Sequence, residues 1–529
     1  MIVNDMTGLG RIEVTDVPIP NAIKAISATY TYSGKVLLTY KADNDKDEKD
    51  YFNLAVLNDD GTDFKNIFSG FIRPCGHANG VRFMCFRDNK RILLGDYVLE
   101  CYPDIDNCER SELMFIEYPC GLRNNEFTSM HWSEVIIAPD NEHMAWTALR
   151  NDGVGAIDFI GDLKRYDDHY VIENAQIISS LWFAEKDPEH DGYILPKIPR
   201  GGEVKQFVRG GKAISLVGTM RAGTADSIVQ YLNSFDLEQI TTSPSYEETT
   251  IFSPDEKLGV VMSTRASKRT NTSIFGLMPR PHGILISGGL MMLSYLYSVA
   301  GVRSFRKGNI GPIMIDIECS KSDPSYLGAV LCDPEENWVY LSPMSWHPNG
   351  KKAIWPEMLR LSITNGKQII RIRKAELLDY KPSKTVCPEA TPMDIPYAIS
   401  DLSLIDKYID GNIDGKIAGK SSGHIEYKKG GSYMKGQTSV TYMNYSDDGK
   451  TYWNGSEIVE LDLMGKSCYR ADVEMAGEHT GEMKLRAVFL SGADGLPRLS
   501  FKPGADGKPE SYGRATFDGV ALDISEMAE

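Results

Sequence analysis

A short phrase recurs along the first 380 residues: a strand-like apolar run, a turn built on Asp, Asn or Gly with a charged residue, and a second strand-like run. Its clearest copy occupies 249–263, where the turn reads Ser253-Pro254-Asp255. A unit repeated about every fifty residues is typical of a radial all-β array. The copies have their turns near Gly34, Asp88, Asp140, Gly211, Asp255 and Asn349. The sequence therefore predicts an all-β fold that begins with a six-bladed β-propeller.

The spacing between the last two turns is far longer than the others. Either a degenerate seventh blade lies in this gap, or one blade carries an insertion. The stretch 283–301 has no charged residue and no polar alternation, so it does not read as a blade. The insertion is the preferred interpretation, and seven blades are the alternative.

The apolar insert is nearly long enough to cross a bilayer. A single span inside one blade would place the two halves of a closed propeller on opposite sides of the membrane. We therefore expect no transmembrane span. The preferred role is a buried insert, followed by a lid over the central funnel and then by a contact with a membrane surface.

The sequence divides into three parts: a propeller, a linker and a C-terminal unit. A strand-like stretch at 11–14 is expected to complete the last blade, because a closed propeller leaves no open sheet edge. The propeller then spans 1–380, and a Pro-rich linker follows at 381–397. Alternating segments separated by Gly-rich turns fill 398–529, which predicts an antiparallel β-sandwich or half-barrel.

The repeat resembles that of the TolB-like β-propeller family. The resemblance is carried by the Ser-Pro-Asp turn around Asp255 and by the strand 51–57 with its Asp-Gly turn at Gly61. It covers residues 25–380 and implies the propeller fold. It implies little about function, because this fold serves both binding proteins and enzymes.

Charge and terminal sequence limit the class of protein. A formal net charge of -16 argues against a nucleic-acid binder, which needs a concentrated basic face. The N-terminus lacks a basic start followed by an apolar run, so no signal peptide is expected. We predict a cytoplasmic protein, or a secreted or periplasmic one if a signal has been trimmed.

The residues that lead into the innermost strands of a propeller converge at one mouth of its channel. There we place His77 and His131 as metal ligands or acid/base groups, with Glu203 or Glu247 assisting. Relatives resembling oligogalacturonate lyases use a His-lined metal site in such a place, which implies a divalent metal. The alternative is that these groups only satisfy hydrogen bonds or pair with cations such as Lys205.

Two further groups are weaker candidates. Arg280 and His282 lie in a loop stiffened by two prolines, and they would face a ligand if the insert were a lid. A rigid surface connection is the alternative. Asp410, Asn412 and Asp414 match the first half of a calcium loop, although the twelfth position is Ser421 instead of an acid. Because that ligand is missing, two Asp-Gly turns near the linker are the preferred interpretation.

No nucleotide-binding loop and no serine-hydrolase elbow is found, so no nucleotide cofactor is expected. We predict an enzyme whose site lies at the propeller funnel and performs lyase or hydrolase chemistry on a small organic molecule. The apolar insert favours a partly hydrophobic substrate over a plain sugar. The alternative is a non-catalytic propeller that binds a protein or peptide partner. The oligomeric state stays open.

Overall fold

The computed structural model of the chain describes residues 1–3, 8–43, 45, 50–72, 83–119, 128–129, 134–150, 156–181, 184–198, 200–220, 222–267, 269, 272–333, 336–342, 344–409, 413–431, 434–491, 497–504 and 507–527. Within these ranges the chain forms two units. The first is a six-bladed β-propeller and the second is a nearly closed antiparallel β-barrel.

The blades follow one another along the chain. Two short strands precede them, β1 (Ile2–Val3) and β2 (Ile12–Asp16). Blade 1 contains β3 (Ile23–Tyr30), β4 (Val36–Ala42), β5 (Tyr51–Leu57) and β6 (Lys65–Phe71). Blade 2 contains β7 (Phe83–Cys85), β8 (Arg91–Leu94), β9 (Tyr97–Tyr102) and β10 (Arg110–Glu117). After β11 (Thr128–Ser129), blade 3 contains β12 (Val135–Ile137), β13 (His143–Arg150), β14 (Ala156–Arg165) and β15 (Tyr170–Ile177).

A hairpin separates the third blade from the fourth. It consists of β16 (Ala184–Lys186) and β17 (Ile194–Pro196). Blade 4 contains β18 (Glu203–Val208), β19 (Ala213–Gly218), β20 (Asp226–Tyr231) and β21 (Leu237–Gln239). Blade 5 contains β22 (Glu247–Phe252), β23 (Leu258–Ser263), β24 (Ile313–Asp316) and β25 (Ala329–Val330). Blade 6 contains β26 (Trp338–Tyr340), β27 (Ser345–Trp346), β28 (Lys352–Leu359) and β29 (Ile370–Leu377).

Each of the six turns found in the sequence joins an inner strand to the second strand of its blade, which confirms the predicted propeller. The β22–β23 turn shows why the Ser-Pro-Asp phrase recurs at such a place. The Ser253 hydroxyl donates to Asp255 Oδ1 at 2.6 Å and accepts from the Leu258 amide at 3.0 Å. Side chains of the turn therefore form hydrogen bonds with the backbone of the same turn. The long gap after Asp255 is an insertion between β23 and β24.

The N-terminal strand lies on the last blade. β2 pairs antiparallel with β29, with Val14 opposite Ala375, and β1 adds to the outer edge of β2. Blade 6 is thus built from both ends of the propeller sequence. Because the two ends share a sheet, separating them would expose an apolar strand edge.

The C-terminal unit is one long antiparallel meander. Its strands are β30 (Ile413–Ala418), β31 (Ser422–Gly431), β32 (Lys435–Ser446), β33 (Thr451–Asp462), β34 (Lys466–Gly477), β35 (Gly481–Leu490), β36 (Arg498–Leu499), β37 (Tyr512–Phe517) and β38 (Val520–Asp523). Short 3-10 helices flank it at Leu402–Ile409 and Ile524–Met527. A single curved sheet forms, so the half-barrel form of the prediction is the one observed, and the two-sheet sandwich is not.

The blade 5 insert is helical. It contains α1 (Ser273–Gly276), α2 (Ile284–Tyr295), a π-helical turn (Leu296–Ala300) and α3 (Gly301–Ser304); α4 (Ile317–Ser322) follows β24. The stretch Ile284–Ser304 has 21 residues and a mean hydropathy of 1.5, enough to cross a membrane by length and composition, yet 61% of its most apolar window is buried. Leu290 and Leu293 pack into the barrel core, whereas Val299 and Val302 pack into the propeller. The insert therefore joins the two units.

A glycine sets how closely α2 approaches the barrel wall. A Cβ atom at Gly289 would lie 2.7 Å from Val459 Cγ1, whereas one at the neighbouring Gly288 would meet nothing within 4 Å. We expect Gly288→Ala to stabilise the protein slightly through helix propensity. Gly289→Ala should be less stable than Gly288→Ala by about 1–3 kcal/mol, because the helix must shift. Urea denaturation of both variants checks this, and equal stabilities would show that α2 does not touch β33.

The segment 381–397, called the strap below, is fixed to the propeller face that carries the inner-strand turns. Asp255 Oδ2 accepts hydrogen bonds from the Tyr380 hydroxyl at 3.0 Å and the Ser383 amide at 2.8 Å. Amides of the strap then bind blades 5, 4 and 3 in turn: Val386 to the Pro254 carbonyl at 2.9 Å, Glu389 to the Gly210 carbonyl at 2.8 Å and Thr391 to Asp140 Oδ2 at 2.9 Å. The repeated turns thus also anchor the chain that leaves the propeller.

Candidate functional site in the propeller channel

A cavity of about 530 Å³ lies on the propeller axis. Its size falls in the range of small-molecule sites, roughly 300–1,000 Å³. The inner strands supply both apolar and polar wall residues, the aromatic and aliphatic ones being Tyr30, Met84, Ile137, Phe207, Phe252 and Trp346. The strap covers one side through Thr385, Val386 and Pro388, and Lys205 contributes a charged group.

Lys205 stands among three carboxylates from three adjacent blades. Its Nζ lies 2.7 Å from Glu203 Oε2 in blade 4 and 3.3 Å from Glu134 Oε1, just before the inner strand of blade 3. Glu248 Oε1, from the inner strand of blade 5, is 4.0 Å away. The Lys205 side chain is only 3% exposed. Three acids and one base thus meet where the inner strands converge.

β-Bulges shape this convergence. Pairing of β18 with β19 shifts register between Val204 and Gln206, so Lys205 is the extra residue. Pairing of β22 with β23 shifts in the same way between Glu248 and Thr250. A bulge re-aims side chains relative to the regular alternation of a strand. The two bulges lie in neighbouring blades, on either side of the contact between Lys205 and Glu248.

The carboxyl groups of the cluster differ in their electrostatic environments. Burial raises the pKa of Glu248, against the lowering effect of Lys205. The Tyr246 hydroxyl donates to Glu248 Oε2 at 2.9 Å. Glu203 is the most exposed of the three acids, at 26% of its side chain against 11% for Glu134 and Glu248. Glu248 is therefore suited to hold a proton, and Glu203 is suited to accept one.

The insert reaches the same mouth of the channel. Burial raises the pKa of Tyr295 on α2, and the charges of Glu248 and Glu203 raise it further. Arg303 on α3 acts on both Tyr295 and Glu248 in the opposite direction. The helices thus border the carboxylate cluster as well as filling the barrel.

Glu247 lies away from the channel. Its side chain is fully buried and receives Arg265 Nη2 on Oε2 at 2.6 Å and the Ser263 hydroxyl on Oε1 at 2.7 Å. Successive residues of a strand point to opposite faces, so the next residue, Glu248, takes the channel side. The sequence predicts that Glu247 assists at the funnel, but the adjacent residue, Glu248, lies there instead. Glu203 is the first residue of β18 and contacts Lys205, and its role as an assisting group stays a prediction.

Arg280 and His282 point into the barrel instead of the channel. Arg280 is 3% exposed, and its Nε lies 2.9 and 3.0 Å from the two carboxylate oxygens of Glu457. The Nε2 atom of His282 is 2.8 Å from the Tyr445 hydroxyl, and burial lowers the pKa of His282. The prediction that Arg280 faces a ligand at the funnel does not fit this position, because the guanidinium is already paired with Glu457 inside the second unit.

The remaining predicted ligands cannot be placed at a site. His77, His131, Asp410 and Asn412 lie outside the described residues, so the histidine pair and the calcium loop stay predictions. Asp414 is an exposed residue of β30. Across the described ranges, no group of three or more His, Cys, Asp or Glu side chains is arranged to hold a metal ion.

The sequence placed Lys205 at the funnel only as a cation that pairs with the acids, and it did not predict that Lys205 brings Glu134, Glu203 and Glu248 together. One signal was present: Glu203 and Lys205 are two positions apart in a strand, which places them on one face. Their contact with Glu134 and Glu248 depends on how three blades meet around the axis. No local pattern reports that geometry.

Comparisons with known proteins agree on little beyond architecture. No protein-family model and no curated protein matches the sequence. Similar solved structures include TolB from Acinetobacter baumannii, with 12% identity over 72% of this chain and 66% of that chain and a TM-score of 0.32. A prolyl endopeptidase shares 9% identity over 79% of this chain and 53% of that chain, with a TM-score of 0.35.

A third similar structure is the β-propeller domain of the Trilobed protease from Pyrococcus furiosus, which has an open velcro topology. It shares 7% identity over 68% of this chain and 97% of that chain, with a TM-score of 0.30. The present chain spans about half the length of the prolyl endopeptidase. No activity is carried over from these proteins at such identities. In fold, the first unit of the chain is a six-bladed β-propeller.

Proposed function

We propose that the protein is an enzyme that acts on a small, partly hydrophobic organic substrate in the propeller channel, by hydrolase or lyase chemistry. One observation carries this proposal: a buried lysine meets three carboxylates from three blades beside a cavity of about 530 Å³. Of the four groups, Lys205 lines the cavity. Convergent titratable groups at a concave site are a recognised mark of catalytic centres.

The roles of the side chains follow from their environments. The Lys205 ammonium stabilises negative charge on a carbonyl or anionic oxygen of the substrate. In a hydrolysis, Glu203 accepts a proton from the attacking water while Glu248 gives its proton to the leaving group. In an elimination, Glu203 removes a proton beside the carbonyl and Glu248 again protonates the leaving group. The apolar part of the substrate packs against walls such as Phe252 and Trp346.

We also propose that His77 and His131 bind a divalent metal. The acid/base roles above use described residues only. Metal content of the purified protein, measured by mass spectrometry, tests this addition separately.

Replacing Glu248 or Lys205 should remove the activity. Turnover of a panel of chromogenic esters, lactones and β-elimination substrates is measured first with the wild-type protein. Glu248→Gln and Lys205→Met should each lower kcat/KM by about 100-fold or more, because each removes one charge or proton that acts only in the transition state. Glu474→Gln, on an exposed carboxylate of the barrel, is the control that should retain full activity. Variants of Glu248 and Lys205 within a few fold of wild type would overturn the proposal.

A partner-binding propeller is the second candidate, and the strap favours it. Main-chain amides of the strap bind one propeller face in an extended conformation, so this face can hold a peptide-like segment. On this reading the channel cluster is structural, and the wild-type protein turns over no member of the panel.

A further inference from the structure

The wall of the propeller channel has a second positive group, Arg87, at the end of the cavity that lies away from the carboxylate cluster. Arg87 belongs to the turn between β7 and β8, on the propeller face that the strap crosses. Lys205 is the third residue of β18 and lies near the start of its inner strand. The turn that ends β18 is about four residues further on, so the levels of the two cations differ by about 13 Å along the channel.

The other charged groups near Arg87 are already paired. Lys205 meets the three carboxylates described above, and Glu256, the acid of the cavity wall, receives Arg209 Nη1 at 2.6 Å. Asp88, the neighbour of Arg87 in the same turn, is held by an arginine of β8 at 2.7 Å. Within the described part of the chain, the Arg87 guanidinium has no carboxylate partner. Arg87 is therefore the positive group of this wall that is available to an anion.

Neighbouring blades hold Arg87 in position. The side chain is half-buried, and its Cζ lies 5.7 Å from the centroid of the Tyr32 ring, which also lines the cavity. The Arg87 amide donates to Asn141 Oδ1 at 2.7 Å, and the hydroxyl of Ser33, next to Tyr32, donates to Asp106 Oδ1 at 2.8 Å. A guanidinium over an aromatic ring keeps its in-plane N–H groups available for a planar carboxylate.

We propose that the ligand of the channel is an amphipathic carboxylate and that its carboxylate binds to Arg87. The apolar part of the ligand lies between the two cations, against walls such as Phe207 and Phe252, and the reacting carbonyl reaches Lys205. Only the reacting end rests on the proposed function, because the contact with Arg87 also suits a channel that binds its ligand without reaction. Arg87 thus determines which molecules bind and takes no part in the chemistry.

Calorimetric titration of the full-length protein tests the contact with phenylbutyrate and with its neutral amide, phenylbutyramide. Phenylbutyrate should bind at least about tenfold more tightly, since the amide lacks the charge-assisted contact. Arg87→Met should weaken binding of phenylbutyrate at least about tenfold and that of phenylbutyramide by no more than about twofold. Arg110→Met is the matched control, because Arg110 Cζ lies 4.4 Å from the Tyr102 ring centroid in the same blade but outside the cavity. It should bind both probes as the wild type does.

Two results would overturn the inference. The first is a wild-type protein that does not bind phenylbutyrate, or binds it no more tightly than phenylbutyramide. The second is an equal loss of affinity for both probes in Arg87→Met, which would show that Arg87 only supports the packing of the wall. If Arg87→Met does not fold by circular dichroism, Arg87→Gln, which keeps a polar but neutral head, gives the same test.

Kinetics separate this inference from the proposed function. The substrates are a nitrophenyl ester of suberic acid with its second carboxylate free and the same ester with that carboxylate methylated. The free carboxylate should lower KM at least about tenfold, and Arg87→Met should remove this difference while kcat stays within a few fold. Turnover of both esters with equal KM would contradict the Arg87 contact alone. Turnover of neither ester, with Arg87-dependent binding of phenylbutyrate, would contradict the proposed activity and support the contact.

Discussion

Arg280→Met is expected to lower the free energy of unfolding by about 3–5 kcal/mol, the usual cost of breaking a buried ion pair. The Arg280 and Glu457 side chains are 1% and 0% exposed. The hydroxyls of Tyr442 and Tyr469 also donate to Glu457, each at 2.8 Å. Removing the guanidinium would leave a carboxylate inside the barrel with only neutral donors. Because Arg280 belongs to the insert and Glu457 to β33, the loss would also weaken the attachment of the barrel to the propeller.

Urea denaturation followed by circular dichroism measures this effect. Glu457→Gln should be similarly destabilised, and the double variant Arg280→Met with Glu457→Gln should lose less than the two single losses added together. The control is Arg470→Met, which breaks an exposed pair with Glu460 on the barrel surface, 45% and 43% exposed. Surface pairs contribute about 0–1 kcal/mol. If Arg280→Met lowered the free energy of unfolding no more than Arg470→Met does, the Arg280–Glu457 pair would not stabilise the contact between the two units.

Asp158→Asn is expected to remove a large pH dependence of stability. Asp158 on β14 is fully buried, and burial raises its pKa from 3.8 to about 7. Thr147 Oγ1 donates to its Oδ1 at 2.7 Å, and the Gly202 amide donates to its Oδ2 at 2.8 Å. Below pH 3.8 the folded and unfolded states both hold the proton. Between 3.8 and about 7 only the folded state holds it, so stability falls as the pH rises through this window.

Above that window the loss reaches about 4 kcal/mol, from 1.36 kcal/mol for each unit of pKa difference. The asparagine is neutral at every pH and keeps a carbonyl oxygen for the Gly202 amide. From pH 5 to pH 8 the wild-type protein should therefore lose about 3 kcal/mol more stability than Asp158→Asn. Denaturation at both pH values checks this, with Asp167→Asn in the exposed turn after β14 as the control. Identical pH slopes for the wild-type protein and Asp158→Asn would show that Asp158 is ionised in the fold.

The propeller could be predicted because each repeat is held by hydrogen bonds between residues that are close in the sequence. The turn at Asp255 satisfies its own backbone with its own side chains, and such turns are visible in a short window of sequence. The apolar insert was equally visible from composition. The packing partner of the insert could not be predicted, because the barrel that encloses the insert begins more than a hundred residues later. Alternating segments showed that strands would form after 398 but not that they would curl around a helix from another unit.

The candidate site was only partly predictable for the same reason. Glu247 was chosen in place of Glu248 because alternation and bulges decide which of two adjacent acids faces the axis. Arg280 resembled a free ligand-binding group until its partner, 177 residues away, was in view. Long-range pairing of this kind leaves no local signal.

A crystal structure of Glu248→Gln soaked with the best substrate of the panel tests the assignment of the channel most directly. We expect the substrate in the channel, with a carbonyl or anionic oxygen within hydrogen-bond distance of Lys205 Nζ and its apolar part against Phe252 and Trp346. A structure in which the substrate binds only outside the channel would contradict the assignment of the propeller channel as the active site.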